Sequence, residues 1–173
     1  NLPARSKMAA PHFTMFWSED IPRLRSLDAE GRETELAVVA GRLPLDAGVG
    51  ADAGELAPLA PPPASWAAQA DSDVAIWTVR MAPGARWTLP AAQGQGTRRM
   101  LYFFGGASVQ VGGRSIDSHA AIELDAGAAM ELVNGDAVGE FLVLQGRPIA
   151  EPVAQYGPFV MNTQAEIMQA MAD

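Results

Sequence analysis

The sequence predicts a mainly β protein: an antiparallel barrel or sandwich with one short helix at its C-terminal end. Three observations lead there. Short apolar runs follow one another at close spacing through residues 74–145. Glycine and asparagine turns separate them, the pattern of antiparallel all-β folds. A helical pattern is confined to residues 164–172, QAEIMQAMA.

Taken in order, residues 12–17 (HFTMFW) predict a short extended segment. Ser18, followed by Glu19 and Asp20, predicts the cap of a brief helical turn over 18–24, kept short by Pro22. Residues 28–31 (DAEG) are turn chemistry, and 34–40 (TELAVVA) predict a strand closed by Gly41. Residues 42–64 are rich in Gly, Ala and Pro and have neither period. They predict a long surface loop, extended near Pro61-Pro62-Pro63. Residues 74–81 (VAIWTVRM) are apolar enough to predict a strand buried on both faces. Residues 100–104 (MLYFF) and 108–111 (SVQV) predict a hairpin across Gly105-Gly106, and Gly112-Gly113 predicts a second tight turn. Residues 120–124, 130–133 and 140–145 predict three more strands, with Asn134-Gly135-Asp136 turning the chain between the last two. Thr163, with Glu166 three residues on, predicts a capping box for the helix. Ile167, Met168 and Met171 share one of its faces.

With 173 residues, half of them apolar, the chain can bury a core. Its net charge of -8 is poorly suited to nucleic acid or an anionic membrane. It has no cysteine, so disulfides, thiolate metal sites and cysteine nucleophiles are excluded. No apolar run approaches the roughly 20 residues of a membrane span, and no basic-then-apolar leader opens the chain. These features predict a cytoplasmic protein with neither a nucleic-acid nor a membrane partner. The first residue is Asn1, and NLPARSKMAAPHF reads as the middle of something longer. That predicts a fragment, or a chain whose front has been removed. In that case His12–Trp17 would need neighbours from the missing part to be buried.

The stretch RWTLPAAQGQGTRRMLYFFGG (86–106) raises the question of a bound anion or metal. Glycine amides and arginines suit phosphate. A phosphate loop, however, ends in Lys-Ser/Thr and opens a helix, whereas a strand follows here. The expectation is a strand connection with exposed arginines. For a metal, the two histidines, His12 and His119, lie on separate segments with no paired-histidine motif. Asp71-Ser72-Asp73 lacks the further oxygens and glycine of a calcium loop and reads as a turn before a strand. Ser115, Asp117 and His119 are neighbours without a nucleophile elbow. Glu19 and Asp20 do not pair by spacing. Trp17, Trp66, Trp77 and Trp87 read as core before pocket. No catalytic residue is expected.

Several phrases carry a resemblance over nearly the whole chain: NLPARSKMAAPHF, WSEDIP, LAPPPASWA, DVAIWTV, PGARWTLPAA, LYFFGG, LQGRPI, EPVAQYGPFVMNT and AEIMQA. Together they resemble the pirin family, with GPFVMNT and NLPA-x-x-KM the most specific. The resemblance implies a cupin-type antiparallel β-barrel or jelly roll. Pirins are two-barrel cupins whose metal, usually iron, is held by three histidines and a glutamate in the N-terminal barrel. This chain resembles the C-terminal half. It divides into an inter-domain connection and lead-in segment (1–32), a C-terminal cupin-like barrel (33–162) and a C-terminal helix (163–173).

Against the cupin motif frame, Trp87 and Leu89 fall where two histidines would be. Arg98 or Arg99 falls at the glutamate, and Met130 at the second-motif histidine. None of these side chains suits iron, so no cofactor is expected in this chain. The resemblance therefore implies a metal-free structural or interaction domain. Its partner would be an N-terminal pirin barrel, or a second copy in a dimer. The full-length family is linked to quercetin 2,3-dioxygenase activity, and eukaryotic members to transcription-factor binding; neither carries over by motif. The resemblance leaves as an alternative that the chain is part of a quercetin 2,3-dioxygenase-type enzyme whose active site lies in the missing N-terminal barrel. One alternative is a small-molecule barrel for a phenolic or acidic ligand, lined at its mouth by Trp87, Leu89, Arg99, Tyr102 and Met130. Another is an enzyme using His12 or His119 with a borrowed metal.

Overall fold

The computed structural model describes residues 2–45 and 54–172. Residues 46–53 of the predicted 42–64 loop lie outside the described residues. Strand β1 (Arg23–Leu27) pairs with β2 (Glu33–Ala40) through the 28–32 turn. The helical turn predicted over 18–24 is thus replaced in its second half by a strand. Ser18 Oγ accepts from Arg23 Nη2 at 3.2 Å and caps no helix. Short strands β3 (Leu43–Pro44) and β4 (Glu55–Leu56) pair within the predicted loop.

β5 (Ala75–Met81) buries Ala75, Trp77, Val79 and Met81 and exposes Thr78 and Arg80. It has one buried face, not two. Side chains alternate along a strand, and among the described residues no second layer covers Thr78 and Arg80. β6 (Arg86–Leu89), β7 (Arg98–Gly105), β8 (Val109–Val111), β9 (Arg114–Ile116), β10 (Ala120–Leu124), β11 (Met130–Asn134) and β12 (Gly139–Gly146) follow. A hairpin of β13 (Ala154–Tyr156) and β14 (Phe159–Met161) then leads to helix α1 (Gln164–Ala172).

The large strands form two antiparallel sheets. One has the order β1-β2-β5-β12-β7-β10, the other β6-β11-β8-β9. Gly105-Gly106 is therefore not a hairpin: β7 pairs with β12 and β10, while β8 pairs with β11 and β9. The chain crosses between sheets there. Gly106 has φ +109°, and a Cβ on it would lie 3.0 Å from the Val138 carbonyl. Gly112-Gly113 does close the β8–β9 hairpin.

The core lies between the sheets. Leu36, Val38, Val79, Leu101, Phe103, Phe141 and Val143 face Leu89, Val109 and Leu132. The rings of Phe103 and Phe141 stack at 5.1 Å. Burying each such side chain contributes about 1.5–3 kcal/mol. The helix cap forms as expected: Thr163 Oγ1 accepts from the Glu166 N–H at 3.2 Å, and Glu166 Oε2 accepts from the Thr163 N–H at 2.7 Å. Bonds from the Thr163 hydroxyl and backbone hold the Glu166 carboxyl below its ordinary value. Ile167 is buried, but Met168 and Met171 are 66% and 49% exposed, so the predicted apolar face is only partly covered.

Two polar side chains fasten one end of the sandwich. Asn134 Nδ2 donates to the carbonyls of Met81, Ala82 and Ala137 at 3.1, 2.9 and 2.8 Å, joining β11 to the end of β5. Asp28, in the β1–β2 turn, accepts from the backbone N–H groups of Arg32, Glu30 and Arg86 at 2.9, 3.0 and 3.0 Å, and from Arg32 Nε at 2.8 Å. The bond from Arg86 ties the six-stranded sheet to β6. Burial by itself would raise the Asp28 carboxyl, but these donors together lower it to about 2.

The sign of the pH effect follows. A carboxyl lowered in the folded state stabilises fully above its unfolded value, about 3.9, and that contribution is lost as pH falls through about 2. Urea unfolding of Asp28→Asn should show a clear deficit at pH 6 that shrinks towards pH 2. A deficit independent of pH would contradict the clamp. Leu132→Ala, at a fully buried position, should cost about 2–5 kcal/mol in the same assay.

Candidate functional site: a buried arginine at the edge of a cleft

The alternation along β7 puts Arg99, Leu101 and Phe103 on the buried face and Tyr102 and Phe104 outside. Arg99 is only 2% exposed. An arginine cannot shed its charge at neutral pH, so the fold supplies acceptors. Nε donates to Gln145 Oε1 at 2.8 Å, and Nη2 donates to the same oxygen. Nη1 donates to the Pro90 carbonyl at 2.7 Å. Gln145 is the register partner of Arg99 on β12. Its Nε2 donates to the carbonyl and to Oδ1 of Asp73, both at 3.0 Å. Burial pulls the Arg99 guanidinium below its ordinary value, and the Asp73 charge partly offsets this. A carboxylate thus balances the guanidinium from one amide away.

The same Asp73 answers the question posed by the glycine loop. Asp73 Oδ2 accepts from the Gly94 N–H at 3.0 Å and from the Thr97 hydroxyl at 2.6 Å. A Cβ on Gly94 would lie 2.9 Å from that oxygen. The loop cradles an anion, and the anion belongs to its own chain. Asp73 has φ 48°, a left-handed conformation that Asp and Asn tolerate best among side-chain-bearing residues. The Asp71-Ser72-Asp73 stretch is a turn, as expected, but its last carboxylate also fixes a loop more than 20 residues away. A signal was present: a loop of free glycine amides and a hydroxyl needs an acceptor.

The five residues predicted to line one mouth do not meet in one pocket. Leu89 is fully buried and pairs with Met130; Trp87 pairs with Leu132; Trp87 and Met130 are partly buried against the core. These three fill the interior from the four-stranded sheet. Tyr102 is 37% exposed on the outer face. Of the five, Arg99 alone lines the large cleft, about 820 Å³, between residues 54–73 and the Arg99–Gln145 end of the six-stranded sheet. The cleft walls include Phe16, Leu59, Pro61, Ile76 and Trp77. Sequence reasoning missed Gln145, Phe16 and the 54–70 wall.

The residues do not fit a metal. His12 and His119 are both exposed, and His119 packs edge-on against Phe103 at 5.6 Å. Among the described residues no group of three or more His, Cys, Asp or Glu could hold an ion. Ser115 donates to Asp117 at 2.9 Å on the surface, and no hydrogen bond brings His119 to them. Glu19 and Asp20 are exposed in a turn. Trp66 and Trp77 donate to the carbonyls of Arg147 and Gly41 at 2.8 and 3.2 Å, while Trp17 is 59% exposed.

Asp73→Asn keeps the left-handed backbone and removes the charge; Asp73→Ala removes both the acceptors and the tolerance for that backbone. Loss of the hydrogen bonds to this part-buried carboxylate should cost about 1.5–3 kcal/mol, and the alanine variant should unfold at lower denaturant than the asparagine variant. Equal midpoints for wild type and Asp73→Ala would contradict this role.

The Pirin C-terminal cupin domain model matches residues 76–173. A pirin-like protein of Caulobacter vibrioides is 30% identical over 175 residues, covering 100% of this chain and 54% of its own length. A Pseudomonas aeruginosa protein with the provisional name quercetin 2,3-dioxygenase is 31% identical over 174 residues, covering 100% of this chain and 52% of its own. The crystal structure of a quercetin 2,3-dioxygenase from Acinetobacter baumannii superposes with a TM-score of 0.72 at 30% identity, covering 100% of this chain and 52% of that one. The chain spans about half the length of the curated relatives it matches. Among the described residues no helix is long and apolar enough to cross a membrane. With the matched model covering more than half of the chain, on a two-sheet β fold that superposes on the crystal structure of a quercetin 2,3-dioxygenase, this chain belongs to the pirin family and corresponds to its C-terminal cupin half.

Proposed function

We propose that this chain is a metal-free packing and interaction barrel, which supports or pairs with a metal-binding cupin barrel. One observation carries the reading. At the positions where the family resemblance puts metal ligands, Leu89 is fully buried and Trp87 and Met130 pack against the core. Arg99 is committed to Gln145 and Pro90. Apolar side chains and a permanent cation offer nothing to iron. Any dioxygenase chemistry would then reside in the partner barrel. A cysteine-free chain of this kind suits the cytoplasm.

The interaction part of the reading is supported by the lead-in segment. Phe13, Met15 and Trp17 recur at every second residue and are 82%, 54% and 59% exposed. That spacing puts them on one side of an extended chain, and clustered apolar exposure of this kind favours association. The partner would be the metal-binding barrel or, in its absence, a second copy.

Two measurements test this. After incubation with excess Fe(II), Ni(II) and Zn(II) and desalting, elemental analysis should find no metal above background. About one metal per chain would overturn the reading. In sedimentation velocity the chain alone should self-associate, and the double variant Phe13→Glu, Trp17→Glu should sediment as a monomer. A wild-type monomer at all concentrations, or a dimer that persists in the variant, would remove the lead-in segment as the interface.

A further inference from the structure

The cleft beside Arg99 is unused by the packing role. Its volume, about 820 Å³, falls in the range of small-molecule sites, about 300–1,000 Å³. Its walls are largely apolar and aromatic, with Phe16, Leu59, Pro61, Ile76 and Trp77 among them. Its polar members include Arg99, Gln145 and Asp73. Convergence of a few polar groups in an apolar cleft is the usual composition of a ligand site.

The charges in the cleft differ in how fully they are used. Arg42 and Glu55 pair with each other at 3.6 Å. Asp73 accepts from Gly94, Thr97 and Gln145 through its two carboxylate oxygens, which leaves little capacity for a cationic ligand. Arg99 has five N–H donors. Three are engaged, and all three meet neutral acceptors. One N–H on each terminal nitrogen remains. Asp73 balances the charge only from one amide away, so a guanidinium with N–H donors to spare favours an anion, and its planar fork matches a carboxylate bidentately.

We infer that the cleft binds a small monocarboxylic acid with a flat apolar body, its carboxylate at Arg99 and its body against Trp77 and the 54–70 wall. The site is independent of any metal and of the lead-in segment's Phe13, Met15 and Trp17 face, so its failure leaves the packing role untouched.

Benzoate is the probe, with benzamide as its neutral counterpart, each titrated into the chain and followed by backbone and arginine side-chain NMR. Benzoate should bind in the millimolar range or tighter, shifting Ala91, Gln93, Arg99 Nε and Gln145. Benzamide should bind at least about tenfold more weakly, the loss of a charge-assisted contact. Arg99→Gln should erase that difference. Because Arg99 also holds the fold together, Ala91→Trp serves as the second variant: it fills the cleft from a residue outside the hydrogen-bonded network, and should abolish benzoate binding in a chain whose melting is cooperative. Equal affinities for benzoate and benzamide, shifts confined to another surface, or undiminished benzoate binding by folded Ala91→Trp would each overturn the inference.

Discussion

One buried positive charge organises this barrel. Arg99 is nearly inaccessible and cannot be neutralised at physiological pH, so an unpaired guanidinium there would be prohibitive. The chain meets the demand with an amide and a carboxylate in series. Gln145 takes two of the arginine's bonds and passes two to Asp73. Asp73 in turn holds Gly94 and Thr97, and the arginine holds the Pro90 carbonyl just past β6. One network thereby aligns β7 with β12, anchors the approach to β5 and fixes the loop that crosses between the sheets. At the far end of the same strands, Asn134 and Asp28 make the corresponding ties.

This arrangement bears on function because it uses up the interior. A metal-binding barrel needs several imidazole or carboxylate groups converging on an open centre. Here Leu89, Leu132 and Phe103 are buried in the core, and Trp87 and Met130 pack against it. The Arg99–Gln145–Asp73 network ties the barrel's own strands together. What remains for recognition lies at the margins: the cleft against residues 54–70, and the exposed apolar face of residues 13–17. The chain spans about half the length of the relatives it matches.

Local chemistry was a good guide where a feature is local. The Thr163–Glu166 capping box, the Gly112-Gly113 hairpin and most strands could be read directly, since caps, tight turns and period-2 patterns are short-range. The errors fall where the answer depends on a distant partner. Gly105-Gly106 has hairpin chemistry, yet φ > 0 serves equally for a crossing between sheets. β1 escaped notice because Ser18 and Pro22 imitate a helix start, and its pairing with Glu33–Ala37 is not written in its own residues. The burial of Arg99 was legible and overlooked. Counting by twos from Leu101 and Phe103 puts it inside and sends Tyr102 out. Gln145 and Asp73 as its partners were not legible, since 46 and 26 positions separate them from it and only the fold unites them.

The most direct test of this account is a double-mutant cycle on Arg99→Gln and Asp73→Asn, measured by urea unfolding in buffer freed of divalent metals. The two residues share no direct hydrogen bond, so coupling between them can arise only through the Gln145 relay and the field between their charges. The account predicts a favourable coupling of about 1–3 kcal/mol. Additivity within about 0.5 kcal/mol would mean that the two charges are independent, and that the organising role assigned to the network is wrong.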